Sequence, residues 1–255
     1  MALIETEAIV LRTYNLAEAD KIAVCLTRST GVVRAVARGA RRLKSRFGAG
    51  LEPFTLIALS YYEKEGRELV SMRQAEILRS SFGLSANMEA VAALAYLSEL
   101  VIEFAPPHEP NERLFRMVNA CLEAAARSPG EMLPITRYFE VWILRLGGFL
   151  PDLRHCADCG RRFGEGERAF LDVEGKFRCG ECGDSLGLAL SAEAHSLLRA
   201  TERLSPSDYV RKAQSSCVTP STWREVARVT QPLIGRVLER QPRALAVYAE
   251  GTGAL

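Results

Sequence analysis

The sequence predicts an α+β, multidomain protein in which a small β-barrel precedes a mostly helical part. The apolar pattern has a period of two in residues 1–80 and a period near 3.6 beyond residue 84. Two Cys-x2-Cys pairs interrupt the helical part. The chain has 255 residues, of which 48% are hydrophobic and 25% are charged. This composition is typical of a globular protein rather than a disordered one.

Five short runs in residues 1–80 have the composition of strands. They are rich in β-branched residues, are bounded by turn residues, and cover 7–13, 21–27, 32–38, 54–62 and 68–78. Gly66 lies in the link between the last two, where a hairpin turn favours a positive φ. Five strands in so short a segment favour an OB-fold barrel, although an SH3-like barrel would give a similar pattern.

Residues 81–255 carry the start and stop signals of several helices. The expected starts are Ser85, Asn111, the residue after Pro134, Ser191 and Thr219-Pro220. Pro106-Pro107 and Gly147-Gly148 are expected to end the first and third of these helices. Pro232 falls inside the last one, where we expect a kink or a break.

Positive charge is concentrated in the N-terminal part of the chain. The formal net charge is only +2, but residues 1–80 contain thirteen Lys and Arg against nine Asp and Glu. The segment from Arg28 to Arg46 has no acidic residue at all. Such a block favours a polyanion-binding face, while a solvated surface loop is the plainer interpretation. The candidate DNA-binding residues are Arg34, Arg38, Arg41, Arg42, Lys44 and Arg46.

Four of the seven cysteines form one pattern. Cys156 and Cys159 make one Cys-x2-Cys pair, and Cys179 and Cys182 make a second pair, with nineteen residues between the two pairs. This spacing is typical of a four-cysteine zinc site, because each tight turn aims two sulfurs at one point. Residues 153–186 are therefore expected to form a zinc ribbon-like unit with one structural Zn²⁺. A short hairpin is expected between the two pairs, over residues 169–178.

Other interpretations of the cysteines are weaker. Disulfides are disfavoured in an intracellular chain. His155 could replace a sulfur ligand, but with four thiols present an exposed loop histidine is the better interpretation. Cys25, Cys121 and Cys217 are expected to be small packing residues.

Motifs of catalysis are missing from the sequence. It contains no phosphate-binding loop, no G-x-S-x-G and no H-E-x-x-H. Four thiolates also leave no open metal position for a water molecule. The sequence therefore predicts that the protein is not an enzyme.

Three segments resemble the bacterial recombination mediator family RecO. Residues 7–21 are similar to the family's first strand and the loop that follows it. Residues 38–54 are similar to its basic stretch between barrel strands. Residues 146–160, with the sequence LGGFLPDLRHCADCG, match the family's entry into its zinc unit.

The resemblance implies a non-enzymatic protein of DNA repair and recombination. Such a protein binds single- and double-stranded DNA and anneals complementary strands without ATP. With RecR it helps RecA to displace the single-strand-binding protein SSB, whose acidic C-terminal tail it also binds. Tyr14, Tyr61 and Tyr62 are candidates for stacking on bases, although strand tyrosines are more often core or surface residues.

Two rival functions remain open at this point. One is a zinc-ribbon transcription or translation regulator that binds a defined nucleic-acid site, and the other is a metal-dependent hydrolase such as a nuclease. The N-terminal residues do not have the pattern of a signal peptide, and no apolar stretch is long enough to span a bilayer. We therefore expect a cytoplasmic, nucleoid-associated protein without membrane contact.

Overall fold

The computed structural model describes residues 2–64, 66–183 and 187–252. Glu65, in the predicted hairpin link, and residues 184–186, at the end of the predicted zinc unit, lie outside the described residues. The chain folds into two compact units, Met1–Leu122 and Glu123–Leu255.

Five strands close into a barrel in the first unit. Their bounds are β1 Ala2–Leu16, β2 Asp20–Thr27, β3 Gly31–Ala37, β4 Leu56–Glu63 and β5 Leu69–Arg79. The strand order around the barrel is β1-β2-β3-β5-β4, with β3 and β5 parallel and the other pairs antiparallel. Gly66, between β4 and β5, has the expected positive φ of 75°. The predicted fold class, a five-stranded barrel followed by a helical part, is confirmed.

Alternate residues of the strands fill the barrel. Ala8, Val33 and Ile57 are fully buried in this core, as is Tyr61. A β-bulge between Val10 and Arg12 changes the phase of β1 relative to β2. The alternation in the first half of β1 therefore predicts the wrong face for side chains beyond the bulge. Those expected inside the barrel point outward, and those expected outside point inward.

One helix and the segment after it lie against the barrel within the first unit. Helix α1 spans Met88–Phe104, and its Ser98 Oγ donates a hydrogen bond to the carbonyl oxygen of Leu11 at 3.0 Å. The segment that follows runs beside β3, where the His108 amide donates to the carbonyl oxygen of Val32 at 3.3 Å. These contacts place α1 and this segment against β1 and β3.

The remaining described helices follow in the sequence, and all but the first of them lie wholly in the second unit. Their bounds are α2 Glu112–Arg127, α3 Met132–Leu146, α4 Ala192–Ala200, α5 Pro206–Ser215, α6 Pro220–Leu238 and α7 Arg243–Thr252. Asn111, Ser191 and Thr219 accept hydrogen bonds from backbone amides at helix starts, as predicted. Across the described ranges, none of the helices combines the length and the apolar character needed to cross a membrane.

Three helix details differ from what the sequence predicts. Asn87 caps α1, because its Oδ1 accepts from the Ala90 amide at 3.1 Å, whereas Ser85 lies in a short 3-10 turn. Helix α3 begins at Met132, so Pro134 lies inside its first turn, where its missing amide costs no helical bond. Helix α6 is not broken at Pro232. Pro232 and Arg228 are exposed, so water can bind the carbonyl that the proline leaves without a partner.

A small sheet lies between α3 and α4 in the sequence. It contains β6 Ala169–Leu171, β7 Phe177–Arg178 and β8 Leu188–Leu190 in the order β7-β6-β8. The hairpin predicted over residues 169–178 is thus present, and Gly175 in its turn has a φ of 85°.

Gly31, in the turn between β2 and β3, should be intolerant of any side chain. Its φ is 72°, and an added Cβ would lie 2.2 Å from the carbonyl oxygen of Glu109. Gly31→Ala should lower the free energy of unfolding by about 3 kcal/mol or more, measured by urea denaturation. Gly66→Ala is the matched control, because Gly66 has the same backbone conformation in open space. It should cost only about 1 kcal/mol, and equal losses would contradict the packing described here.

Candidate metal centre and nucleic-acid interface

The two Cys-x2-Cys segments fold as tight turns that each aim a pair of sulfurs inward. The Gly160 amide donates to the carbonyl oxygen of Cys156 at 3.0 Å, and the Gly183 amide donates to that of Cys179 at 2.8 Å. Gly160 has a φ of 69°. A Cβ on Gly183 would approach Phe170 to 2.7 Å, so the second turn also requires glycine.

The four sulfurs converge on one point. The Sγ atoms of Cys156, Cys159, Cys179 and Cys182 all lie within 4.8 Å of one another, and those of Cys159 and Cys179 are 3.9 Å apart. Tetrahedral zinc–thiolate bonds of about 2.3 Å would place the sulfurs roughly 3.8 Å apart. The four predicted ligands therefore form one group that is positioned to hold a metal ion.

The surroundings of the sulfurs support thiolates that are balanced by a cation. Burial of Cys156 opposes ionisation, but the amides that point at its sulfur outweigh burial and lower its pKa to about 6. One of these is the Cys179 amide, 3.4 Å from the Cys156 sulfur. The neighbouring sulfurs of Cys179 and Cys159 instead raise the pKa of Cys182 to about 12. Four negative sulfurs at this separation require a bound cation, and four sulfur ligands fit a closed structural site.

The other candidate ligands do not join this group. His155 is exposed and its Nδ1 lies 2.8 Å from an Asp152 oxygen, as expected for a loop histidine. Cys25 and Cys121 are buried packing residues as predicted, and burial raises the pKa of Cys25 to about 12. The prediction for Cys217 is wrong, because this residue is exposed in a turn with a φ of 48°.

Most of the predicted basic residues lie in one loop, which we call the basic loop and define as residues 38–46. The loop leaves the barrel at the end of β3 and returns at Phe47, which is buried in the barrel core. Its first turn is held by the Gly39 amide, which donates to Asp20 Oδ1 at 2.7 Å. The Arg41 amide and guanidinium donate to the carbonyl oxygens of Ala19 and Ala17. The basic loop therefore lies beside the turn between β1 and β2.

The basic loop presents its charges to solvent. All five of its cations are exposed, and in the part of the chain that the structure describes none of them forms an ion pair; they are Arg38, Arg41, Arg42, Lys44 and Arg46. The guanidinium of Arg46 lies 4.9 Å from the ring centre of Phe47. Arg34 is placed differently, on the outer face of β3, where it pairs with Glu68. Arg28 is also paired, with Glu7 and Glu112 at 2.9 Å each.

The three candidate stacking tyrosines have different environments. Tyr61 cannot stack on a base, because it is fully buried in the barrel and its hydroxyl lies 2.8 Å from Thr30 Oγ1. Tyr62 is half-buried on β4. Tyr14 is 40% exposed, and the guanidinium of Arg12 lies 4.5 Å from its ring centre.

Arg12 is a candidate residue that the sequence analysis missed. The register places Arg12 opposite Val24 and Val24 opposite Arg34, so both arginines lie on the outer face of β1–β3. This face of an OB-fold, together with the loop between its first two strands, is where such barrels bind oligonucleotides. Pairing register would have revealed Arg12, but the bulge at Val10/Arg12 hides that register from simple alternation.

Family models match both parts of the chain. A family model described as Recombination protein O N terminal matches residues 1–81, and one described as Recombination protein O C terminal matches residues 85–246. The chain belongs to the RecO family. RecO membership assigns it a role in DNA repair and recombination.

Curated relatives of the RecO family match over much or nearly all of the chain. The DNA repair protein RecO of Symbiobacterium thermophilum is 32% identical over 94% of both chains. That of Koribacter versatilis is 38% identical over 66% of this chain and 67% of its own length. That of Geobacter metallireducens is 37% identical over 76% of this chain and 78% of its own.

Loss of one sulfur should empty the metal centre. Cys156→Ser should reduce bound metal from about one ion per chain to nearly none, as measured by mass spectrometry of the purified, unoxidised protein. It should also lower the free energy of unfolding by about 4 kcal/mol or more, because metal binding contributes to folding.

Cys217→Ser is the matched control for this experiment, since Cys217 is exposed and lies outside the cysteine group. It should change neither metal content nor stability. A metal-free wild-type protein that is as stable as the metal-loaded one would contradict a structural metal centre.

Proposed function

We propose that this RecO-family protein is a DNA repair and recombination mediator that binds single- and double-stranded DNA without reading base sequence. Residues 1–80 would be its DNA-binding domain, and residues 81–255 would be its helical domain, containing the zinc unit of residues 153–186. The DNA-binding residues would be Arg38, Arg41, Arg42, Lys44 and Arg46, with Arg34 contributing once its pairing with Glu68 opens.

One observation carries this proposal: the barrel core anchors one loop in which five exposed cations form no ion pair with any described residue. Lys and Arg that face solvent neutralise phosphates and release the counterions condensed on DNA. Such contacts position a strand but do not read its bases. The Arg12–Tyr14 pair beside this loop offers a surface on which any base can stack. Together these contacts support binding that is indifferent to sequence.

The same chemistry supports strand annealing. Cations that contact two complementary strands reduce the phosphate repulsion that slows their pairing, so no ATP is required. Weak, salt-sensitive contacts then allow the duplex product to leave. In this proposal the protein acts with RecR to help RecA load onto single-stranded DNA covered by SSB, and it binds the acidic tail of SSB. It would work in the cytoplasm, at the nucleoid.

We further propose that the metal is Zn²⁺ and that the protein is not an enzyme. Zn²⁺ favours four sulfur ligands in tetrahedral geometry, and such a site has no open position for an attacking water. Zinc would hold the turns that carry the cysteines, so its contribution is structural. A nuclease function would instead require an open metal position.

Neutralising the basic loop should weaken DNA binding and its salt dependence. Arg42→Gln combined with Lys44→Gln removes two cations whose side chains have no ion pair among the described residues. The slope of log K against log salt for a fluorescein-labelled oligo(dT) strand should become shallower by about 1.4, since each single-strand contact contributes about 0.7.

Arg113→Gln with Arg116→Gln is the control for charge alone. Both arginines are exposed on α2, outside the basic loop, so this variant has the same net charge. It should leave the slope nearly unchanged. Equal effects of the two double variants would remove the basic loop from the DNA-binding site.

Annealing of two complementary oligonucleotides, assayed without any nucleotide, separates the mediator from its rivals. The wild-type protein should accelerate annealing of several unrelated sequence pairs to a similar extent, and it should leave the strands uncleaved. Strong preference for one sequence would favour a zinc-ribbon regulator of transcription or translation, and strand cleavage that chelators abolish would favour a nuclease.

A further inference from the structure

A second basic site lies in the Glu123–Leu255 unit, in a cavity of about 410 Å³. One wall consists of the residues between the two cysteine turns, from Arg162 to Glu167, and the other wall comes from α4 and the segment that leads to α5. Five cationic side chains line the cavity; they are Arg154, Arg162, Arg199, Arg203 and Lys212. We call this feature the ribbon cavity.

Two of the three carboxylates in the ribbon cavity are already neutralised. Glu202 accepts a hydrogen bond from Arg154 Nε at 2.7 Å and lies 3.4 Å from Arg145. Glu167 accepts two hydrogen bonds from Arg161, at 2.6 and 3.0 Å, and one from the Gly164 amide at 2.8 Å. Glu165 is exposed at the rim.

Several cations of the ribbon cavity are available to a ligand. In the portion of the chain that the structure describes, Arg162, Arg203 and Lys212 form no ion pair. Arg199 is held in place because its Nη1 donates to the carbonyl oxygens of Gly164, at 3.0 Å, and Phe163, at 3.4 Å. These contacts use only one nitrogen of the guanidinium, so the remaining N–H groups can bind an anion.

Buried contacts fix the two walls relative to each other. His195 on α4 is 1% exposed, and its ring nitrogens lie 3.2 Å from the carbonyl oxygen of Glu167 and 3.0 Å from that of Leu153. Phe163 packs edge-on against its ring, and Phe177 stacks on it. The cationic side chains therefore project from a preformed frame, and the frame includes the segment that the metal centre organises.

We infer that the ribbon cavity is a second phosphate-binding site, which takes the backbone of a nucleic-acid strand. This inference rests on the proposed function, because it assumes that the protein acts on DNA. Glu202 and Glu167 leave part of the cavity's positive charge uncompensated, and its N–H donors are held on a rigid frame. Phosphate oxygens favour this arrangement.

A phosphate backbone fits this cavity better than an acidic peptide does. Its apolar lining is limited to Ala192, Ala200 and Leu204. Peptide segments usually dock by burying apolar side chains, which this lining cannot cover. A phosphodiester chain needs only charge and N–H donors, both of which the cavity provides.

The test uses the full chain with the basic loop neutralised by Arg42→Gln and Lys44→Gln, so that residual binding reports the ribbon cavity. In this background, Arg162→Gln with Arg203→Gln should weaken oligo(dT) binding roughly ten-fold near 0.1 M salt and flatten the salt slope by about a further 1.4. Glu165→Gln should strengthen binding several-fold, because it removes the carboxylate at the rim, which forms no ion pair among the described residues. A misfolded variant cannot give such a gain.

Arg113→Gln with Arg116→Gln again serves as the control, in the same background. If the ribbon-cavity variants match this control while the basic-loop variants still weaken binding, the second site is wrong and the proposed function survives. If the wild-type protein binds no DNA, the proposed function itself fails. If Arg162→Gln with Arg203→Gln abolishes binding of a fluorescein-labelled polyglutamate peptide but leaves oligo(dT) binding unchanged, the ligand is an acidic protein and the inference is overturned.

Discussion

Mutual repulsion among the cations of the basic loop is the constraint on which the proposed DNA-binding surface depends. Five positive side chains within residues 38–46 repel one another, and none of them forms an ion pair among the described residues. Such a segment would extend into solvent unless its ends were fixed. The Gly39 amide bonds to Asp20 at one end, and the buried ring of Phe47 holds the other. Burial of Phe47 in the barrel core thus keeps the five cations of the basic loop close together. Closely spaced cations release many counterions when they bind DNA.

The metal centre also concentrates like charges, in this case the negative charges of four thiolates. Four sulfurs within 4.8 Å of one another cannot all ionise alone, and their thiolates become compatible when one cation lies among them. The Arg161 guanidinium lies beside the Cys179 sulfur and also holds Glu167, so the charge balance of the centre extends to the wall of the ribbon cavity. A metal with a purely structural role can therefore influence a binding surface that it does not touch.

The sequence predicted the composition of both sites better than their geometry. Cysteine spacing was sufficient for the metal centre, because each Cys-x2-Cys turn is a local structure. The basic loop was predictable for a similar reason, as its charges are contiguous. Arg12 was not, because the bulge between Val10 and Arg12 reverses the face of the strand. For Tyr61 the sequence favoured a core or surface position over base stacking, and the closed barrel places its ring inside.

The errors in the helical part also arise from features of the fold that the sequence does not show. Ser85 and Asn87 both have side chains that can cap a helix, and the chain's path from β5 into α1 selects Asn87. Pro232 would break an isolated helix, but its exposed position lets water bind the carbonyl that it leaves without a partner. The ribbon cavity could not be predicted from the sequence, because its cations are spread from Arg154 to Lys212 and come together only in the fold.

Two modest phosphate-binding sites suit strand pairing better than one strong site. A single surface with many contacts would hold its duplex product as firmly as its substrates, because affinity rises with every phosphate neutralised. The basic loop and the ribbon cavity belong to different compact units, and neither offers more than five cations without an ion pair among the described residues. Each site alone would therefore hold a strand weakly and release it as salt competes. A chain that engages two strands through separate weak sites raises their local concentration without trapping the duplex that they form.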